Sequence, residues 1–473
     1  MVILVGNVWP ALGGSILTTI YNGGPPGVLY EFIVASLFYF TVAASLAELA
    51  SAMPSSAGPY LWASVTPGKS YGRAIGFFAG WWSTLAWILA AASMSAICGN
   101  NLIVQMYAFS HPSFSVQPWH VFVTYLLITW IACSIVCLFN KQKPLLNQIG
   151  IFVTVCGVLI TIIICAVCPS QSGQPGHASN ATVWIDWTAD IGYPNGFVFV
   201  AGMLNGSYAM GTPDSTSHLA EEIPSLSNNI PKAIAMQYIT SFVSGLAYLI
   251  TILYAINDYD ALLVSAFPIA EIYHQATNST AGTIGLLFLL LLPTFICVIA
   301  LYMTCGRALW ALSRDGATPL PAVISHVNLK LDLPVNATLI CCGIMTAMGC
   351  IYVGSSAAFN TFVGSFVLLS SSSYIASLLP LALRGRKGIE FSVFRLRGGL
   401  GFLLNFLACG FMLMTFVVYC FPYSRPVSAA SMNYSCLIWG SLTLLVALWW
   451  TVHARREYRG ISIPAAQAAH LLE

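Results

Sequence analysis

Charged side chains are scarce in this sequence. Lysine, arginine, aspartate and glutamate together make up 7% of its 473 residues, while 58% are apolar. A soluble globular domain carries roughly 25% charge, so that class is excluded. Also missing is any glycine-rich phosphate loop of the G-x-x-x-x-G-K-S/T kind, and no loop is long enough for an ATPase domain; primary active transport by this chain alone has no machinery. None of the eight histidines joins a metal-ligand pattern inside an apolar stretch. Acids and bases at membrane depth are too sparse for the constellation a membrane enzyme needs. The 14 cysteines mostly sit within apolar stretches, where cysteine acts as a small apolar residue, at spacings that set up no metal site. The expectation is a chain with no enzymatic role, cofactor, metal or nucleic-acid partner.

What remains is hydrophobic length. Twelve stretches reach the roughly 20 residues needed to cross a bilayer: 2–21, 28–52, 74–98, 119–139, 147–168, 196–220, 233–255, 282–305, 335–353, 358–383, 400–421 and 433–452. Placing the start inside the cell puts 16 of the 17 basic residues on the inner side and leaves Arg425 outside. The positive-inside rule then assigns both termini to the cytoplasm, and the outer loops hold the sequons at Asn180 and Asn278. The expected fold class is an all-α polytopic membrane protein of 12 transmembrane helices.

Two of the stretches interrupt themselves. In the sixth, Gly211 suits a helix C-terminus, Thr212 an N-cap and Pro213 a first helical position, so the helix is expected to stop and restart mid-span. In the first, Asn7-Val8-Trp9-Pro10-Ala11-Leu12-Gly13-Gly14-Ser15 places a proline and two glycines mid-span. Unwound backbone in hydrocarbon is tolerated only where protein or a water-filled cavity satisfies it. Interruptions at equivalent places of spans 1–5 and 6–10 are the pattern of an inverted-repeat transporter with its site between the breaks.

The run Ser45-Leu46-Ala47-Glu48-Leu49-Ala50 through Met53-Pro54 to Gly58-Pro59-Tyr60-Leu61-Trp62 resembles the second-span signature of the amino acid–polyamine–organocation permeases. The resemblance is closest to their fungal branch of amino-acid, choline and 4-aminobutyrate permeases. His218-Leu219-Ala220-Glu221-Glu222-Ile223-Pro224 with Asn229-Ile230-Pro231-Lys232 looks like that family's sixth-span exit, and Gly306-Arg307 through Arg314-Asp315-Gly316 like its loop after span eight. The resemblance implies a leucine-transporter-type 5+5 inverted repeat over 1–383, with halves at about 1–168 and 196–383. A basic loop at 384–399, peripheral helices at 400–453 and a cytoplasmic tail at 454–473 follow. It also implies a multi-pass plasma-membrane permease for an amino acid or small amine, coupled to protons.

Carried over, the substrate lies against Ala11, Gly13, Gly14 and Ser15 at the first break, and against Tyr208, Ala209, Gly211, Thr212 and Asp214 at the second. Tyr208 takes the place of an aromatic lid. Asp214 stands where some relatives have a gating residue. Independently, free amides at Gly13–Ser15 and Thr212–Asp214 suit a carboxylate, and carbonyls ending the preceding half-helices suit an ammonium. Trp9 is a second candidate lid. For a choline-like cation Asp214 is the obvious counter-charge, unless it serves the turn of its own half-helix. Glu48, near the inner end of span 2, either carries a coupling proton or braces the inner loops. Glu221 and Glu222 read as inner-gate partners for Arg73 or Lys232. Only about six residues precede Asn7, about 9 Å of helix, so an incomplete inner half-helix and a non-native Met1 are expected. A non-transporting sensor of the same fold is the alternative function.

Overall fold

A computed structural model of the chain describes residues 6, 8–16, 19–111, 113–139, 143–171, 176–189, 191–265, 267–331, 333–354, 358–429 and 431–461. Each of the twelve apolar stretches contains a helix. They are α1 Val8–Gly14, α2 Gly24–Ala52, α3 Gly72–Ala96, α4 Pro118–Leu138, α5 Lys143–Val167, α6 Asn195–Met210, α7 Leu226–Tyr254, α8 Thr280–Arg314, α9 Val335–Gly354, α10 Ala358–Leu383, α11 Gly398–Val418 and α12 Ser435–Trp449. Short helices lie in the connections, including Pro59–Val65 after α2 and Pro268–Thr277 before α8.

Nine of the described helices are long and apolar enough to cross a membrane, a polytopic arrangement that falls short of the expected count of twelve. α6 has 16 residues because the chain leaves the helix at Gly211; the described part of α1 has 7 residues and the described apolar run of α9 is Val335–Cys350. α3 continues through a π-helical stretch, Ile97–Val104, into Gln105–Ser110.

α2, α3 and α8 hold the bundle together. α2 lies along α6, α7 and α11; α3 along α8 and α10; α4 along α9; and α1 sits among α6, α7 and α8. Small residues set how closely α2 and α6 approach. A Cβ on Gly206 would stand 2.9 Å from that of Ala35, and a Cβ on Gly202 would overlap the Glu31 carboxyl. With lipid on the outside, helices gain by such backbone approach, not by hydrophobic burial alone.

Gly206→Val is therefore expected to cost about 1–3 kcal/mol by overpacking, read as a lower unfolding temperature in detergent. Gly410→Val on α11, where a Cβ meets nothing within 4 Å, should leave that temperature nearly unchanged.

Candidate functional site

α6 stops at Met210. Two residues past Gly211 comes Pro213, which has no N–H for the Ala209 carbonyl and whose ring would collide with it. The carbonyls of Met210, Gly211 and Thr212 at this break each lie within hydrogen-bond distance of a side chain; that of Thr212 also accepts the Ser215 amide at 3.3 Å, and the one hydrogen of Tyr374 is shared between Gly211 and Asp214. Tyr238 of α7 donates to the Met210 carbonyl at 2.5 Å, Tyr374 of α10 to that of Gly211 at 3.2 Å, and Gln237 of α7 to that of Thr212 at 3.3 Å. The break is satisfied by protein, as an interruption in a low-dielectric interior requires.

The expected α-helical restart at Thr212–Pro213 does not form. The chain turns through 213–216 and continues as a 3₁₀ helix, Ser217–Glu222, with Thr216 at its N-cap. The Thr212 hydroxyl accepts from Gln237 of α7 at 3.3 Å.

The first interruption also differs from expectation. Ala11–Gly14 is helical, and the chain leaves the helix only at Ser15. The glycines there serve packing: a Cβ on Gly13 would collide with the Tyr248 hydroxyl, and one on Gly14 would stand 2.5 Å from Ile97. Both α1 and α6 thus end in this region by their C-terminal ends. Carbonyls are freed there in place of the amides expected at Gly13–Ser15, and the Gly14 carbonyl accepts from Asn101 of α3 at 3.0 Å. Ser15 donates to the side-chain oxygen of Asn205 at 2.5 Å, so the end of α1 touches the interior of α6.

Between them lies a cavity of about 30 Å³ lined by Ala11 of α1, Ala90 and Met94 of α3, Tyr208, Ala209 and Thr212 at the end of α6, Cys297 and Leu301 of α8, and Phe366 of α10. That volume holds a water or two. Tyr208 donates to or accepts from Ser93 at 2.7 Å and meets Phe366 edge-on, centroids 5.7 Å apart. Among the described residues no charged side chain lines the cavity. Of the residues expected at the site, Ala11, Tyr208, Ala209 and Thr212 line it; Gly211 packs on Phe366; Gly13, Gly14 and Ser15 face neighbouring helices. Trp9 points elsewhere, packing on Tyr248 of α7 and near Gly157 of α5.

Asp214 lies behind the cavity, 1% exposed, with its carboxylate fully engaged. Tyr374 donates to Oδ1 at 2.6 Å, Trp87 of α3 to Oδ2 at 3.2 Å, and His218 Nε2 is 3.2 Å from Oδ2. His218 Nδ1 lies 3.0 Å from the Ser56 carbonyl, in the loop after α2. Both ring nitrogens face acceptors, and the Trp87 N–H already points at Oδ2. Both ring nitrogens and both carboxyl oxygens thus have a partner within hydrogen-bond distance. The cluster ties the α6 break to α3, α10 and the loop after α2.

Glu48 is 0% exposed and lies far from this cluster in sequence and contacts. It pairs with Arg386 at 2.6 Å and accepts the Leu396 amide at 2.7 Å, bracing the loop between α10 and α11. The side chains of Glu221 and Glu222 lie outside the described residues. Arg73 donates to the Arg455 carbonyl near the C-terminus.

Sequence reasoning missed His218, Trp87, Tyr374 and Phe366. His218 stands four residues after Asp214, a spacing that was readable. The other three come from distant helices and carried no local signal. It also passed over Glu31, a carboxyl within span 2.

Residues 1–442 match the family described as amino acid permease. The chain is 29% identical over 462 residues to a choline transporter of Saccharomyces cerevisiae, covering 96% of this chain and 80% of that one. It is 28% identical over 460 residues to a swainsonine transporter of Arthroderma benhamiae, with 94% and 87% covered. It is 25% identical over 460 residues to an amino-acid permease of Schizosaccharomyces pombe, with 95% and 79% covered.

Tyr374→Phe removes the one hydroxyl shared by the Gly211 carbonyl and Asp214. Leaving buried acceptors unpaired costs about 1–3 kcal/mol, so the variant should unfold at lower temperature in detergent. A Tyr419→Phe control, which removes a single contact to Ser207, should lose less.

Proposed function

The chain belongs to the amino acid permease family, and on that premise we propose that it is a secondary transporter moving an amino acid or a small amine, such as choline or 4-aminobutyrate, by alternating access with proton coupling. The observation that carries the reading is the cavity at the interrupted ends of α1 and α6, walled by α3, α8 and α10. Irregular backbone at membrane depth around a cavity is the arrangement in which such transporters bind their solutes.

The packing supports a 5+5 repeat. Adding or subtracting five exchanges α1–α7 with α6–α2, α3–α10 with α8–α5, and α3–α4 with α8–α9, and it leaves α1–α6, α2–α7, α3–α8 and α4–α9 unchanged; all of these pairs are in contact. An odd repeat of five helices inverts one half relative to the other in the membrane. The basic residues then favour cytoplasmic termini, and a multi-pass plasma-membrane protein is the corresponding localisation.

The lining favours a cationic head with an apolar body. Tyr208 and Phe366 offer ring faces, and the carbonyls of 210–212 offer acceptors that can be exchanged from Tyr238, Tyr374 and Gln237 to an ammonium group. Relatives are named for choline, swainsonine and amino acids. Because the lining contains no acid among the described residues, Asp214 acts here as a gate fastening and not as the counter-charge.

Counterflow of labelled choline, 4-aminobutyrate and a panel of L-amino acids in proteoliposomes tests the proposal. A permease exchanges unchanged solute, whereas a sensor binds without exchange, which would sink the transport reading. Phe366→Ala is expected to raise KM for a quaternary ammonium about 2- to 30-fold, the equivalent of about 0.5–2 kcal/mol of ring–cation attraction. Asp214→Asn should reduce uptake of cations and zwitterions alike; selective loss of choline uptake would restore the counter-charge role.

A further inference from the structure

Glu31 sits on α2 with 1% of its surface exposed, and among the described residues no lysine, arginine or histidine forms an ion pair with it. Its carboxyl lies flat against Gly202 of α6, in space that any Cβ at that position would fill. Oε2 is 2.6 Å from the Thr19 hydroxyl, in the segment after α1, and the same hydroxyl is 3.2 Å from the Gly202 carbonyl. Oε1 has no hydrogen-bond partner and is shielded from solvent.

The hydrogen count decides the protonation state of this arrangement. Thr19 has one hydroxyl proton. If Glu31 were ionised, Thr19 would face two acceptors with one hydrogen, and a negatively charged oxygen would stand unpaired in the interior, which costs several kcal/mol. If Glu31 is a neutral acid, it donates to Thr19, Thr19 donates to the Gly202 carbonyl, and the one oxygen left over is an uncharged carbonyl. Facing Glu31 from the other elements, Tyr419 at the end of α11 is the titratable neighbour, held by Ser207 of α6 at 2.9 Å. Thr19 and Gly202 bring no charge.

We propose that Glu31 is the site where this chain binds the proton coupled to transport. The bound proton completes the chain Glu31 to Thr19 to the Gly202 carbonyl, tying the segment after α1, α2 and the first half of α6 into one unit. Its departure leaves the one hydrogen of Thr19 to serve both the Glu31 carboxylate and the Gly202 carbonyl, so the tie from Thr19 to α6 is released. Intramembrane acids without a basic partner are the usual carriers of protons in transporters, and this one joins both interrupted segments. The inference rests on the permease reading above, and the test has one arm that does not.

That arm is infrared spectroscopy of the full chain in liposomes, with no solute added. Wild type should show the carbonyl-stretch band of a protonated carboxyl that fades as pH rises, and Glu31→Gln should lack that band. Thr19→Ala, which removes the acceptor of the acid proton, should move the band to higher frequency. A spectrum unchanged in Glu31→Gln, or a band unmoved by Thr19→Ala, would overturn the assignment.

The second arm uses labelled choline and 4-aminobutyrate in proteoliposomes. Glu31→Gln, which keeps the donor to Thr19, should retain counterflow and lose at least tenfold of the accumulation driven by an inward proton gradient. Gradient-driven accumulation intact in Glu31→Gln overturns the proposal while leaving the permease standing. Wild type that exchanges neither solute counts against the permease reading, and the infrared result still decides where the proton sits.

Discussion

Every freed backbone group inside the bilayer must find a partner within the protein, and the end of α6 shows how this chain meets that constraint. Side chains from α7 and α10 reach the three consecutive carbonyls at 210–212, with the Ser215 amide joining Gln237 at Thr212 and the Tyr374 hydroxyl shared with Asp214. An unpaired amide or carbonyl in hydrocarbon costs several kcal/mol, so a break without those partners would not persist. The consequence reaches beyond α6: Tyr238, Gln237 and Tyr374 are buried polar residues on helices facing lipid elsewhere, and their positions fix how α7 and α10 are rotated.

A second tie acts at a different point. The Asp214–His218 pair binds the strand of chain leaving α6 to Trp87 on α3, Tyr374 on α10 and the Ser56 carbonyl after α2. Buried pairs contribute little net stability against apolar replacements, yet losing one partner is costly. Such a pair therefore specifies one arrangement of four segments and opposes their gradual drift. Glu48 and Arg386 do the same for the loop between α10 and α11. The interior charges of this chain are few, and the described ones serve as fastenings between segments remote in sequence.

Much of the architecture was legible because membrane helices announce themselves by length and apolarity. The stop in α6 was legible too, since Gly211 and Pro213 act locally. The restart was not: the Thr212 hydroxyl meets Gln237, which reaches it from α7. In α1 the glycines misled, because small residues that permit unwinding are the same ones that permit close packing, and only Tyr248 and Ile97 decide between the two uses. Glu31 was hidden for a related reason. A carboxyl near a helix start ordinarily turns to water, and its burial follows from Gly202 on a helix some 170 positions away.

The small cavity and the satisfied break belong together. At about 30 Å³ the space is far below the hundreds of Å³ that enclose a small organic solute, so this conformation is a closed one without room for substrate. Opening it requires α6 to move relative to α3 and α8, and the carbonyls of 210–212 must change partners as it does. Their present donors are side-chain hydroxyls and an amide, each able to rotate to another acceptor. On the transport reading proposed above, a solute ammonium bearing N–H groups would replace one hydrogen bond with another at those carbonyls, at little cost because no group is left bare. Modest binding energy is then enough to shift the balance between closed and open forms, since a ligand moves a conformational equilibrium only by the difference in its affinity for the two. On the same reading the position of Asp214 behind the cavity has a use: a carboxyl already held by Tyr374, Trp87 and His218 need not be uncovered each time a solute comes and goes.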